Sequence, residues 1–268
     1  MDSPPASAWE PVTPRGVATF AHAKPGRLLL VQFFVAVLVA GCVLWLLYDG
    51  FFPTVTAAVE KLPDAGEIRG AKLDWRGEPK LLLAESRFIA FNVDLEHSGE
   101  IRSPAQVQVE FGRDNVRVFS LLGYADFNYP TGWVIAFKRP ELLPKWGAWQ
   151  PPLLALTALG VVIYLMLSWA LLAALYAGPV WLLGFYLNRE LTLSGSWKLS
   201  GAALMPGALL MAAGFLFYDF GAFDLVTLAF VTGGHFLVGW IYLVVSTLFL
   251  PRHPTVEAEK KNPFAPSA

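Results

Sequence analysis

From Pro151 to Asn188 the chain reads PPLLALTALGVVIYLMLSWALLAALYAGPVWLLGFYLN, and the next charge is Arg189. A bilayer crossing takes about 20 apolar residues, and this run exceeds that by more than half. A soluble domain of this size has no interior in which to bury such a segment, so the chain is an integral membrane protein. Composition agrees: 55% of its 268 residues are hydrophobic and 15% are charged, where soluble domains carry about 25% charged residues.

The charges are not evenly spread. Residues 53–150 hold 12 Lys/Arg and 13 Asp/Glu, more than half the charge of the chain. The remaining basic residues are Arg15, Lys24, Arg27, Arg189, Lys198, Arg252, Lys260 and Lys261, and none lies inside an apolar run. The chain therefore separates into a polar, domain-sized insert and a nearly charge-free remainder. Cys42 is the single cysteine and excludes an internal disulfide framework.

Taken in order, residues 1–27 are rich in Pro, Ala and Ser without helical periodicity and read as a disordered cytoplasmic tail. Residues 28–52 form the first span; they are too long for a signal-peptide core and lack its small-residue cleavage site. Ala36 and Ala40 give this span a small-residue face for helix packing. Residues 53–150 switch to period two after a short amphipathic lead. The segments 68–75, 80–84, 88–95, 107–111, 116–120 and 133–137 predict strands, with GRDN a hairpin turn between 107–111 and 116–120. The expectation is a small antiparallel β-rich extracytoplasmic domain that closes its own core, with Val109 facing inward, Gln108 facing outward and 127–132 a loop. Trp146 and Trp149 suit a membrane interface.

The second span, 151–187, is long and kinked near Pro179, with Ala170, Ala174 and Gly178 as a packing stripe. Splitting it in two at Gly178-Pro179 is the weaker alternative. The third span, 199–218, carries Pro206, the fourth is 225–250, and 251–268 is a cytoplasmic tail. The fold class is thus an α-helical multi-pass membrane protein of four spans with a β-rich insert between the first two. Basic residues flank the N-terminal segment, the 188–198 connector and the C-terminal segment, but not the 219–224 link. The excess of Lys and Arg on cytoplasmic flanks places both termini in the cytoplasm and residues 53–150 outside, in the cell (inner, cytoplasmic) membrane.

An anchor helix followed by LPDAGEIRGAKL, a β-insert containing FIAFNVD and a helical second half resembles a bacterial membrane family sometimes labelled maltodextrin-utilisation membrane protein. The connector followed by WKLSGAALMPGALL is similar to the wider Yip-type membrane superfamily. The resemblance covers roughly residues 28–250. It implies a multi-pass membrane fold and supplies no catalytic residues.

Candidate sites are few. His235, in VTGGHFLVGW, is the only basic or imidazole side chain within a span, and an ionisable group at membrane depth is a functional candidate. The competing reading, which is favoured, is a neutral histidine donating one hydrogen bond to a backbone carbonyl between helices, with Gly233, Gly234 and Gly239 allowing close approach. Asp94, Glu96 and His97 contain metal-ligating groups, but a solvated strand end explains them better. Asp219 and Asp224, in the outer link, read as helix caps in water. No phosphate loop, G-x-S-x-G, H-E-x-x-H or paired-Cys spacing is present. The expectation is a non-enzymatic protein without cofactor or metal, binding a ligand or protein partner through its outer domain. An accessory role in transport or trafficking is the alternative. Its partners would be the lipid bilayer and other membrane proteins or further copies of itself, with no nucleic acid.

Overall fold

A computed structural model describes residues 9–253. It comprises helices α1 (Pro14–Thr19), α2 (Pro25–Leu46), α3 (Phe52–Glu60), α4 (Arg139–Tyr186), α5 (Leu193–Ala203), α6 (Met205–Asp219) and α7 (Leu225–Leu248). Strands β1 (Gly66–Arg69), β2 (Lys72–Trp75), β3 (Lys80–Glu85), β4 (Ile89–Asp94), β5 (Val107–Phe111), β6 (Asn115–Ser120), β7 (Gly123–Asn128) and β8 (Val134–Ala136) lie between α3 and α4. Two compact units result, Leu44–Thr157 and, within the described residues, 9–43 with 158–253.

Among the described residues the helical stretches Pro25–Glu60, Arg139–Tyr186, Leu193–Asp219 and Leu225–Leu248 are long and apolar enough to cross a membrane. The first continues from α2 through a π-turn at Leu47–Phe51 into α3. The third is broken at Leu204, because Pro206 has no N–H for the helix and instead starts α6 from its first turn. It is also the central one: 61% of its apolar window is buried, against 39% or less for the others. Leu199, Ala202, Ala203, Met205, Ala208 and Ala212 supply its core contacts, and Ala36 and Ala40 of α2 are buried as their spacing suggests.

Small residues set the closest approaches. A Cβ on Gly207 would lie 2.6 Å from the His235 carbonyl oxygen, and one on Gly214 would lie 2.9 Å from Val231, so α6 meets α7 at two glycines seven residues apart. The stripe expected on α4 is displaced by one position. Ala173, Ala177 and Gly184 are buried, while Ala174 is exposed and Gly178 has open space around it. Sequence periodicity locates a small-residue stripe; which small residues face a neighbour depends on how the helix is rotated. The same helix begins at Arg139, well before the expected 151, and runs through Pro179 without interruption.

The N-terminal segment requires a correction. Residues 14–22 are helical, with Thr13 capping α1 through Gly16 N–H at 3.0 Å and Val17 and Phe20 fully buried. Their apolar side chains dock on α5 and α7, a long-range contact that Pro- and Ala-rich composition hides. The remaining expected tail positions, 1–8 and 254–268, lie outside the described residues.

Polar bonds gather the three basic flanks at one end of the helical unit. Lys198 Nζ donates to the Ala23 carbonyl at 2.8 Å, and Tyr242 Oη donates to that of Val12 at 2.6 Å. Arg189 Nη1 donates to the Leu250 carbonyl at 2.7 Å, and Glu190 N–H donates to that of Pro251 at 2.9 Å.

The second unit holds two sheets, β2-β1-β8 and β3-β4-β5-β6-β7. All pairings are antiparallel but one: β4 and β5 run parallel, in register from Ile89↔Val107 to Val93↔Phe111. The purely antiparallel expectation is thereby corrected. The 12 residues from 95 to 106 meet the length a parallel crossover needs. The expected strand 68–75 is two strands, reversed by Gly70 and Ala71 at φ 59° and 62°. β7 overlaps the expected loop at 127–132, because Asn128 pairs with Asn115.

The core of this unit combines Leu73, Trp75, Leu83, Val93 and Phe137 with Ala58 of α3, Leu62 and Leu142. All of these residues fall within 53–150, and helix α3 and the start of α4 join the strands in closing the core. Trp146, expected at an interface, donates from Nε1 to Thr56 Oγ1 at 2.9 Å and packs edge-on against Phe52. Trp149 is exposed.

Candidate functional site

Period-two alternation puts Asn92 and Asp94 of β4 on the same face as Gln108 and Glu110 of β5. That face, polar as it is, is buried. Asn92 and Asp94 are fully enclosed, Glu110 is 1% exposed and Gln108 is 9% exposed, while Val107 and Val109 are only half-buried. The expected inward face of β5, that of Val109, does lie on the hydrophobic-core side; the correction concerns Gln108, which was expected outside and is enclosed on a second, polar face. Phe91 and Phe111 of the opposite face pack on the hydrophobic core. The crossover segment 95–106 accounts for this second buried face: it lies over the polar side chains and excludes water from them.

The polar side chains satisfy one another, as burial requires. Asn92 Nδ2 donates to Glu110 Oε2 at 3.0 Å, and Gln108 Nε2 donates to Asn92 Oδ1 at 3.1 Å and to the Ile101 carbonyl at 3.0 Å. Gln108 Oε1 accepts Ser103 N–H at 3.2 Å. The second Glu110 oxygen lies 2.6 Å from His97 Nδ1, and His97 Nε2 lies 2.6 Å from Asn115 Oδ1. Through its two ring nitrogens His97 thus ties Glu110 of β5 to Asn115 of β6.

Local backbone makes room for the ring. His97 adopts φ 52° in the turn that ends β4, a region histidine tolerates better than most residues. A Cβ on Gly112 would sit 2.2 Å from His97 Nε2, so the β5–β6 turn needs glycine where the imidazole lies. Tyr129 Oη donates to the Gly112 carbonyl at 2.9 Å, and burial raises the phenol well above its ordinary pKa.

Asp94 organises the crossover's start. Its carboxylate accepts from Ser98 Oγ at 2.7 Å, Gly99 N–H at 3.1 Å and Glu96 N–H at 3.3 Å. Burial pushes this carboxyl up, but the hydrogen bonds outweigh it and hold the group below the ordinary aspartate range. The solvated strand end expected here is therefore wrong for Asp94. The three weighed metal ligands diverge: Asp94 binds loop backbone, His97 binds Glu110, and Glu96 is exposed. Among the described residues no group of three His, Cys, Asp or Glu is placed to hold a metal ion.

Beside the crossover lies a cavity of about 340 Å³, floored by Gln108 and Glu110 and walled by Arg102, Pro104, Phe119 and Leu121. Its rim continues into the β6–β7 hairpin, where Leu121 and Leu122 project into solvent, Leu122 completely. Tyr124 and Phe127 of β7, the edge strand, are also exposed. The sequence signal for this surface was available: two leucines at a tight turn have no strand face to bury them. Comparison of the chain with protein-family models, curated proteins and solved structures finds no match. The site is therefore argued from its own geometry.

His235 lies elsewhere, on α7 in the helical unit. Its Nδ1–H donates to the Thr232 carbonyl of its own helix, not between helices as expected. Interhelical bonds of that kind are made by Gln32, whose Nε2 donates to the Gly201 carbonyl at 3.1 Å, and by Trp197, whose Nε1 donates to that of Ala170 at 3.3 Å. Gly233 and Gly234 face open space, and Gly239 touches Leu204 at van der Waals distance. Asp224 caps α7 by accepting Thr227 N–H at 2.7 Å, as its position suggests. Asp219 is buried at the C-terminal end of α6, which corrects its reading as a cap in water.

Proposed function

We propose that this is a non-enzymatic binding protein of the cell membrane whose β-rich unit captures an extended segment of a partner protein at the β6–β7 hairpin. The carrying observation is the open edge of the five-stranded sheet. Every residue of β7 is exposed, and the adjoining turn displays Leu121 and Leu122. Soluble sheets usually guard such an edge with charge, proline or a covering loop, and contiguous exposed apolar groups mark interaction sites. A strand added along β7 would gain main-chain hydrogen bonds, the two leucines would supply apolar contact, and the neighbouring cavity is sized for one or two partner side chains.

The orientation that goes with this reading puts residues 53–150 outside and both termini in the cytoplasm. It rests on the basic flanks that meet at one end of the helical unit. Cysteine replacing Asn128 should react with an impermeant thiol reagent in intact cells, and cysteine replacing Ser194 only after lysis; the opposite pattern refutes the orientation. For binding, a photoreactive residue at position 122 of the full-length protein should form a discrete adduct in cells. Leu121→Ser with Leu122→Ser should abolish co-purification of that partner without lowering the melting temperature. Retained co-purification would overturn the hairpin as the binding surface.

A further inference from the structure

We infer that the helical unit contains a binding site for a neutral, hydroxyl-bearing lipid, with His235 as its hydrogen-bond acceptor. A cavity of about 420 Å³ lies among α2, α4, α6 and α7, within the size range of small-molecule pockets. Most of its lining is apolar, with Val39, Leu165, Met211 and Phe215 contributing, and no charged side chain reaches it. That lining disfavours a phosphate head group, whose charge would be buried without a counter-charge.

A few polar groups do line it, and accounting for their bonds shows what remains available. Ser168 Oγ donates to the Leu165 carbonyl at 3.0 Å, and Thr232 Oγ1 donates to that of Leu228 at 2.8 Å. Trp240 Nε1 donates to Tyr176 Oη at 3.2 Å. The His235 Nδ1–H is taken by the Thr232 carbonyl. Two functions are left over: the Tyr176 hydroxyl proton, a donor, and Nε2 of neutral His235, an acceptor. Neither has a partner among the described residues. In hydrocarbon no water satisfies such groups cheaply, and a ligand hydroxyl, which both donates and accepts, has the chemistry to serve either of them.

Access runs through the outer surface of the helices. Tyr164, Phe236 and Trp240 line the cavity and are 71%, 52% and 52% exposed. On helices that cross a membrane, such exposure faces acyl chains, so a ligand enters from the bilayer. Acylglycerols and quinols share the required chemistry.

The test uses full-length protein in phosphatidylcholine nanodiscs and a diazirine-bearing hexadecanol. The alcohol should label α4 between 161 and 176 and α7 between 232 and 240, and excess unlabelled hexadecanol should suppress the labelling. Its methyl ether, which cannot donate, should bind about 3- to 20-fold more weakly, as expected for one hydrogen bond inside a membrane protein. His235→Leu should bring alcohol and ether to equal affinity. Displacement by dioctanoylglycerol or decylubiquinol supports the site and names the source of the ligand. Displacement by neither overturns it, as does labelling that never saturates, or an ether that binds wild type as well as the alcohol does. Should His235→Leu fail to fold, the alcohol–ether comparison on wild type decides alone.

Discussion

The two units bury polar side chains in opposite ways. Beneath the crossover of the β-rich unit, Asn92, Asp94, Gln108 and Glu110 are removed from water together, and each finds partners within the group or in loop backbone. In the helical unit polar contacts between elements are scattered single bonds, such as that from Gln32 to Gly201, and contact is set by alanine and glycine. A parallel crossover without a helix leaves loop backbone over a sheet face, so that face must offer hydrogen bonds. Helices satisfy their own backbone and need only close fit. Polar burial thus holds a loop in the first unit, while small residues hold helices in the second.

The strongest way to break this contrast is Glu110→Ala, which strands Asn92 Nδ2 and the His97 ring together. A loss of about 2–4 kcal/mol is expected, the cost of leaving two enclosed hydrogen-bonding groups without their partner, measured by thermal or denaturant unfolding of the purified protein. A loss below 1 kcal/mol would mean that the network is dispensable. Gln108→Asp should cost more than Val109→Asp, by about 1–2 kcal/mol, since the former disrupts three bonds beneath the crossover. The reverse order would mean that the apolar face of β5 outweighs the polar network beneath the crossover.

Asp94 sharpens the comparison through pH. Its folded pKa lies below the ordinary value of 3.8, so its contribution to stability is present above that value and is lost as pH falls through the lower, folded one. Asp94→Asn should destabilise at pH 7 by about 1.5–3 kcal/mol, and the gap to wild type should close under acid. A gap independent of pH would exclude the carboxylate as its source. The smallest effects belong to the helices. Gln32→Leu should cost about 0.6–1.7 kcal/mol in detergent unfolding. His235→Leu should change stability by less than about 0.5 kcal/mol, because its bond lies within one helix. A large loss at His235 would show that it ties helices after all.

Much of the helical unit was legible from the chain. Long uncharged runs cannot be buried in a soluble domain of this size, and that fact alone fixes the four apolar helices near 28–52, 151–187, 199–218 and 225–250. The helix ends were less legible, because helix and interface share their residue types before Pro151. The short helix at 14–19 was hidden by composition, since its burial comes from α5 and α7, far along the chain. In the insert, six segments announced strands, yet VQVEF carries apolar residues on one face and Gln and Glu on the other. Alternation reports that two faces differ; it does not report which face a loop will cover.

By itself, then, the sequence determined four helices long and apolar enough to cross a membrane, with a β-rich insert between the first two, because length and hydropathy bear directly on what water will tolerate. Only the tertiary structure decided that β4 and β5 run parallel, that His97 meets Glu110, and that Gln32 rather than His235 bonds across helices. Those outcomes depend on residues 13 to 169 positions apart meeting in space, and local pattern carries no information about which distant partner a polar group will find.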